Sequence, residues 1–125
     1  MTAHVMKQLL LIGAPKHPWR KILQTAVKPF AELDVYDEAQ SYLKGYKKKY
    51  DLVIIDAKEI EHAEEWVARL RSQLPSTRIV VLADAPTWQQ AREAFLAGSM
   101  DYAKKLVDKD KLSKLLSDLL DKPVA

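Results

Sequence analysis

The chain has 125 residues, which suits one domain of ordinary size and leaves little room for a second. Hydrophobic residues make up 48% and charged residues 30%, which excludes disorder and collagen-like composition; 20 Lys and Arg against 17 Asp and Glu give +3, too small an excess to argue for nucleic-acid binding. With no cysteine, disulfide scaffolds, thiol catalysis and Cys-based metal sites are excluded, and the histidines at 4, 17 and 62 show no metal-ligand spacing.

Met1 to Lys7 carries one Lys, and the apolar run from Leu9 to Ala14 is short and stops at Pro15, unlike a secretory signal. No segment approaches the ~20 apolar residues of a membrane span. The expectation is a soluble, cytoplasmic, single domain over residues 1–125, with no membrane contact.

Leu9-Leu10-Leu11-Ile12 is a continuous apolar run, as in a strand covered on both faces. After Gly13-Ala14-Pro15, Trp19, Ile22, Leu23, Ala26 and Val27 repeat on one helical face, and Pro29 halts it. Leu33, Asp34 and Val35 alternate, which suits an edge strand. A helix is expected after Asp37, with Gln40 as its capping-box partner and Ala39, Tyr42, Leu43 and Tyr46 inward. Leu52-Val53-Ile54-Ile55 is a second apolar strand, ending on Asp56. Ala63, Trp66, Val67, Leu70 and Leu74 form a further helical face, closed by Pro75. Ile79-Val80-Val81-Leu82 is a third apolar strand. Thr87 with Gln90 reads as a capping box that opens a helix with Ala91, Ala94 and Phe95 inward and Gly98 just past its end. Met100 to Ala103 is a short strand, and Leu112, Leu115, Leu116, Leu119 and Leu120 mark the last helix.

Strands and helices in alternation imply right-handed crossovers: an α/β, doubly wound, five-stranded parallel sheet in three layers. In such sheets the functional crevice lies at the carboxyl ends of the strands, where strand order reverses. The positions to question are therefore Gly13, Ala14, Asp37, Asp56, Ala83, Asp84 and those after Tyr102. A carboxylate at the Asp56 position can accept a phosphoryl group, bind a metal or sit as a charge at the start of a helix.

The stretch Phe95-Leu96-Ala97-Gly98-Ser99-Met100-Asp101-Tyr102-Ala103-Lys104-Lys105 is similar to the Ala-Gly-Ala-x-Asp-Tyr-Leu-x-Lys signature of response-regulator receiver domains, the CheY-like family. The whole chain, from about residue 7 to 120, resembles that family. The resemblance implies the flavodoxin-like (βα)5 fold and a role in two-component phosphorelay signalling rather than catalysis. It puts Asp56 at the phosphoacceptor position, Lys105 at the lysine that contacts phosphate or carboxylate, and Tyr102 at the switch aromatic. It also implies Mg²⁺ and a protein partner, either a sensor kinase or a downstream effector.

The departures from the pattern bear on that chemistry. Where receivers carry two adjacent acids that help to hold Mg²⁺, this sequence has Gly13 and Ala14; where they carry Thr or Ser after the fourth strand, it has Ala83. Glu59 and Ile60 replace the usual Met-Pro pair. Mg²⁺ needs near-octahedral oxygen ligands, and one remaining side-chain carboxylate leaves it no site, so no metal or cofactor is expected. Asp84, one residue past the pocket position, is a poor substitute. Lys105 is expected to reach across the crevice to Asp56 and turn a catalytic pocket into a structural ion pair.

Elsewhere, Lys44 to Lys49 with Tyr42, Tyr46 and Tyr50 read as a solvated face over inward tyrosines rather than a nucleic-acid surface. Gly13-Ala14-Pro15 lacks the pattern of a phosphate loop, and His62 has no nucleophile beside it. In receivers the helix after the fourth strand, the fifth strand and the last helix carry the signal. Trp88, off the inward stripe, Tyr102 and Leu106-Val107 are the candidate contact residues here, with Arg92, Lys109 and Asp110 as the rim. Three readings remain: a receiver with a degenerate phosphorylation pocket, a phosphate-independent pseudo-receiver acting through protein contact, including with a second copy of itself, and an unrelated ligand-binding or enzyme domain on a similar sheet.

Overall fold

The computed structural model describes residues 6–13, 18–36, 49–57 and 62–122. Its elements in chain order are β1 (Lys7–Ile12), α1 (Trp19–Val27), β2 (Ala31–Tyr36), β3 (Leu52–Asp56), α2 (Ala63–Gln73), β4 (Arg78–Ala83), α3 (Trp88–Ala97), β5 (Asp101–Lys104) and α4 (Lys109–Asp121). The helix expected after Asp37 falls outside the described residues.

The five strands form one parallel sheet in the order β2-β1-β3-β4-β5. From β1 the chain crosses outward to β2, and from β3 it builds the opposite way through β4 to β5. The order therefore reverses between β1 and β3, whose carboxyl ends present Gly13 and Asp56.

Alternation along the strands divides the core. Leu9, Leu11, Leu52, Ile54, Val80 and Leu82 pack on one face against Leu23 of α1 and Leu112, Leu116 and Leu119 of α4. Leu10, Ile12, Val53, Ile55, Ile79 and Val81 pack on the other against Val67 and Leu70 of α2 and Ala94 of α3. A strand with helices on both faces must be apolar at every position, which is why β1, β3 and β4 read as unbroken runs. Each fully buried Leu or Ile contributes about 1.5–3 kcal/mol, so the two clusters carry most of the driving force.

Helix ends follow local chemistry. Thr87 Oγ1 accepts from the Gln90 N–H at 3.2 Å and starts α3; the Asp108 carboxylate accepts from the N–H groups of Asp110 and Lys111 and starts α4. Gly98 ends α3 in the left-handed region at φ 115°, with its N–H on the last carbonyls of the helix. Its own carbonyl accepts from Arg71 of α2.

The structure corrects one inward position. Phe95 is about half exposed rather than buried, and Ala94 is the buried residue of α3. The helix lies at the β5 edge, a strand of four residues, and the sheet has nothing beyond that edge to cover a ring. Among the described residues, no helix is long and apolar enough to cross a membrane.

Candidate functional site

Asp56 is the last residue of β3, on the same side of the strand as Leu52 and Ile54, so its side chain turns toward the α1 and α4 layer. The chain after β1 passes so close that a Cβ on Gly13 would stand 2.7 Å from the Asp56 Cβ. Glycine is what permits this approach. On the other side, Lys105 follows β5 directly, and its backbone N–H donates to the Ala83 carbonyl at 2.8 Å.

These elements bring Lys105 Nζ to 2.7 Å from Asp56 Oδ1 and 3.3 Å from Asp84 Oδ1. The Lys105 and Asp56 side chains are 3% and 2% exposed, whereas Asp84 is 44% exposed. Trp19, at the start of α1, lays its ring 5.3 Å from the same ammonium and donates its indole N–H to the Leu106 carbonyl at 2.9 Å. The ammonium is thus enclosed by two carboxylates and a ring face. Withdrawing an ammonium and a carboxylate from water costs several kcal/mol per ion, and only such close mutual pairing offsets it. The ring adds about 0.5–2 kcal/mol.

This arrangement does not fit Mg²⁺. Gly13 offers no side chain, Ala83 offers no hydroxyl, and both carboxylates face an ammonium that a divalent cation would have to displace. The Asp56 carboxylate is 2% exposed and lies against the Lys105 ammonium.

The other expected site residues lie apart from the pair. The Tyr102 hydroxyl lies 3.2 Å from Gln90 Oε1 and donates to it, tying β5 to the first turn of α3. Burial, and then the negative charge of Glu64, push the Tyr102 phenol above its ordinary pKa. Trp88 is 78% exposed, and with Phe95 and Leu96 it makes an apolar stripe on the outer side of α3, at i, i+7 and i+8. Leu106 departs from its expected surface role, since its side chain packs against the core and its carbonyl is taken by Trp19; Val107 is the exposed residue of that loop.

Sequence reading missed three contributors. Trp19 looked like any inward residue of its helix. Its place at the first turn, just after the crossover from β1, was the available signal that it stands near the strand ends. In the sequence Asp84 suggests no more than a poor metal ligand, since its pairing with Lys105 depends on how the loop after β4 turns. Gly13 suggests a lost ligand in the sequence, whereas the structure shows it as a close packing neighbour of Asp56.

The strand order and the crevice between β1 and β3 give this chain the fold of response-regulator receiver domains. A response regulator from Thermotoga maritima matches with a TM-score of 0.81 at 20% identity, over 94% of this chain and 100% of its own. An orphan response regulator of H. pylori matches at 0.77 and 24%, over 95% of this chain and 99% of its own. A CheY-like receiver domain protein from Methanospirillum hungatei JF-1 matches at 0.80 and 16%, over 94% and 95%. At these identities the likeness is one of fold. No family model matches the sequence, and no curated protein does.

Proposed function

We propose that this chain is a receiver-type signal-transduction domain, cytoplasmic and not itself an enzyme, that acts through protein contact without phosphoryl transfer at Asp56. The observation that carries this reading is the pair at the strand ends: Asp56, which the resemblance puts at the phosphoacceptor position, is 2% exposed and 2.7 Å from Lys105. Phosphoryl transfer relies on positioned cations, and Gly13 and Ala83 supply neither an acid for a metal nor a hydroxyl for the phosphoryl group. The contact surface is the face built by α3, β5 and the loop to α4, with Trp88, Phe95, Leu96 and Val107 exposed on it. Its partner is a kinase, an effector or a second copy.

A second reading keeps Asp56 as a working phosphoacceptor, favoured by its position at the carboxyl end of β3 beside Lys105. Incubation with acetyl phosphate and Mg²⁺, read by intact mass, separates the two. No mass gain is expected, and a stoichiometric phosphoryl adduct on Asp56 overturns the first reading. In a pull-down or sedimentation assay, Asp56→Asn should retain whatever association the wild type shows.

A further inference from the structure

A cavity of about 440 Å³ opens at the amino ends of β3 and β4, at the far end of the sheet from Asp56. Residues 49–51, which lead into β3, line one side, and residues 73–77, which join α2 to β4, line the other. The volume falls within the range of about 300–1,000 Å³ that small-molecule sites occupy. Tyr50, 8% exposed and packed in the core, supplies an apolar wall together with Leu74 and Pro75.

Both sides are held in place. Arg71 donates to the carbonyls of Leu74, Pro75 and Thr77, which fixes the loop after α2. Asp51 forms a reciprocal pair with Gln8: its N–H donates to the Gln8 carbonyl, and its Oδ2 accepts from the Gln8 N–H, both at 2.7 Å. A ligand therefore meets walls that are already ordered, and binding costs less for that reason.

Charge gives the cavity its chemistry. Lys49 and Asp51 stand two residues apart with opposite charges, yet among the described residues neither has an ion-pair partner. The Ser76 and Thr77 hydroxyls likewise have no hydrogen-bond partner among the described residues. An isolated anion here meets Asp51, and an isolated cation meets Lys49. A molecule that carries both charges close together finds a partner for each.

We propose that this cavity binds a free α-amino acid with a large apolar side chain. Its ammonium pairs with Asp51, and its carboxylate pairs with Lys49 and accepts from the Ser76 and Thr77 hydroxyls. Its side chain packs against Tyr50, Leu74 and Pro75. The flexible stem of Lys49 lets the ammonium follow the carboxylate. A peptide bond removes one of the two charges, so a free amino acid fits better than a segment of a partner chain. The proposal stands whether or not Asp56 accepts phosphate, because the two places lie at opposite ends of the sheet.

The test is amide NMR on the full chain, titrated with L-leucine and L-phenylalanine. Three further probes are 3-phenylpropionate and phenethylamine, which each lack one charge, and glycine, which lacks the side chain. Both amino acids should give saturable shifts at Asp51, Leu74, Ser76 and Thr77. Each of the other three probes should bind roughly tenfold more weakly than phenylalanine, or worse. Lys49→Gln and Asp51→Asn should each weaken phenylalanine binding roughly tenfold. Lys49 is exposed, and asparagine keeps an acceptor for the Gln8 N–H, so the amide spectra should otherwise match wild type and the loss reads pairing rather than unfolding. No saturable shift with either amino acid, binding of any of the three lesser probes as tight as phenylalanine, or unchanged affinity in both variants overturns the proposal.

Discussion

Gly13 and Asp56 are in backbone-level contact: a Cβ at position 13 falls 2.7 Å from the Asp56 Cβ and 3.5 Å from its Cγ. Distances under 3 Å are not tolerated between carbons, and the atom that must give way belongs to a residue buried at the end of a central strand. A side chain at 13 would therefore force Asp56 or the chain after β1 to shift.

Gly13→Ala should destabilise the domain by about 1–3 kcal/mol, the usual cost of overpacking. Gly13→Asp should cost at least as much and create no Mg²⁺ site. Urea melts with and without Mg²⁺ check both. A Gly13→Asp protein that is stabilised by submillimolar Mg²⁺ would show that the acid alone restores the metal pocket.

The Asp56–Lys105 pair predicts a non-additive double variant. Asp56→Ala leaves a buried ammonium with only the longer Asp84 contact and should cost about 3 kcal/mol. Lys105→Met alone leaves Asp56 and should cost a similar amount. The double variant should recover part of the loss, because the ammonium and the carboxylate disappear together. Strict additivity in urea melts would mean that the two groups do not interact.

Much of this arrangement is visible in the sequence. The runs Leu9–Ile12, Leu52–Ile55 and Ile79–Leu82 announce strands covered on both faces, because only that environment demands apolar residues at consecutive positions. The alternation through Leu33, Asp34 and Val35 marks β2 as an edge, where the sheet places it. Asp56 and Lys105 come together because each ends or follows a strand on the same side of the sheet. Phe95 and Leu106 resist such reading for opposite reasons. Helical period says which way a side chain points and not whether anything lies there, so Phe95 points past the edge of β5. Leu106 sits in a loop that carries no period at all, and only the Trp19 hydrogen bond reveals that the loop is drawn inward.

Arg71 predicts a structural loss remote from the crevice. Its guanidinium donates to the carbonyls of Leu74, Pro75, Thr77 and Gly98, joining the end of α2 to the turn that ends α3. Arg71→Ala should cost roughly 2–4 kcal/mol, since several carbonyls lose a charged donor. Lysine has no planar fork, so Arg71→Lys should recover less than half of that. Full rescue by lysine would show that charge, and not the fork, is what matters.

Tyr102 predicts an alkaline limit. Its phenol is pushed above its ordinary pKa in the folded state, first by burial and then by Glu64, so the unfolded chain releases this proton at lower pH than the folded one. The contribution is fully present below the unfolded pKa and is lost as pH rises through the folded one. Stability should therefore fall with rising pH above about 10, less steeply in Tyr102→Phe. Glu64→Gln should bring the Tyr102 phenol back toward its ordinary value, read as phenolate absorbance by difference from Tyr102→Phe. An unchanged titration would remove Glu64 from the account.

Trp88 separates surface function from stability. Its ring is 78% exposed, so the fold gains little from it, and Trp88→Ala should leave the melting transition within about 0.5 kcal/mol of wild type. The same ring begins a stripe continued by Phe95 and Leu96, flanked by Gln89, Arg92 and Glu93, an apolar centre with a polar rim. Interfaces concentrate their energy in such central aromatics, and truncating one typically costs ~2 kcal/mol or more of binding. Sedimentation of the isolated chain, and pull-down with any candidate partner, should therefore show association lost in Trp88→Ala and in Leu96→Ser while both variants melt normally. Rim charge acts mainly on association rate, so Arg92→Ala should slow association and alter its salt dependence with a smaller change in affinity. Wild-type association in both apolar variants would move the contact surface off α3. Loss of association in Asp56→Asn alone would place control back at the ion pair.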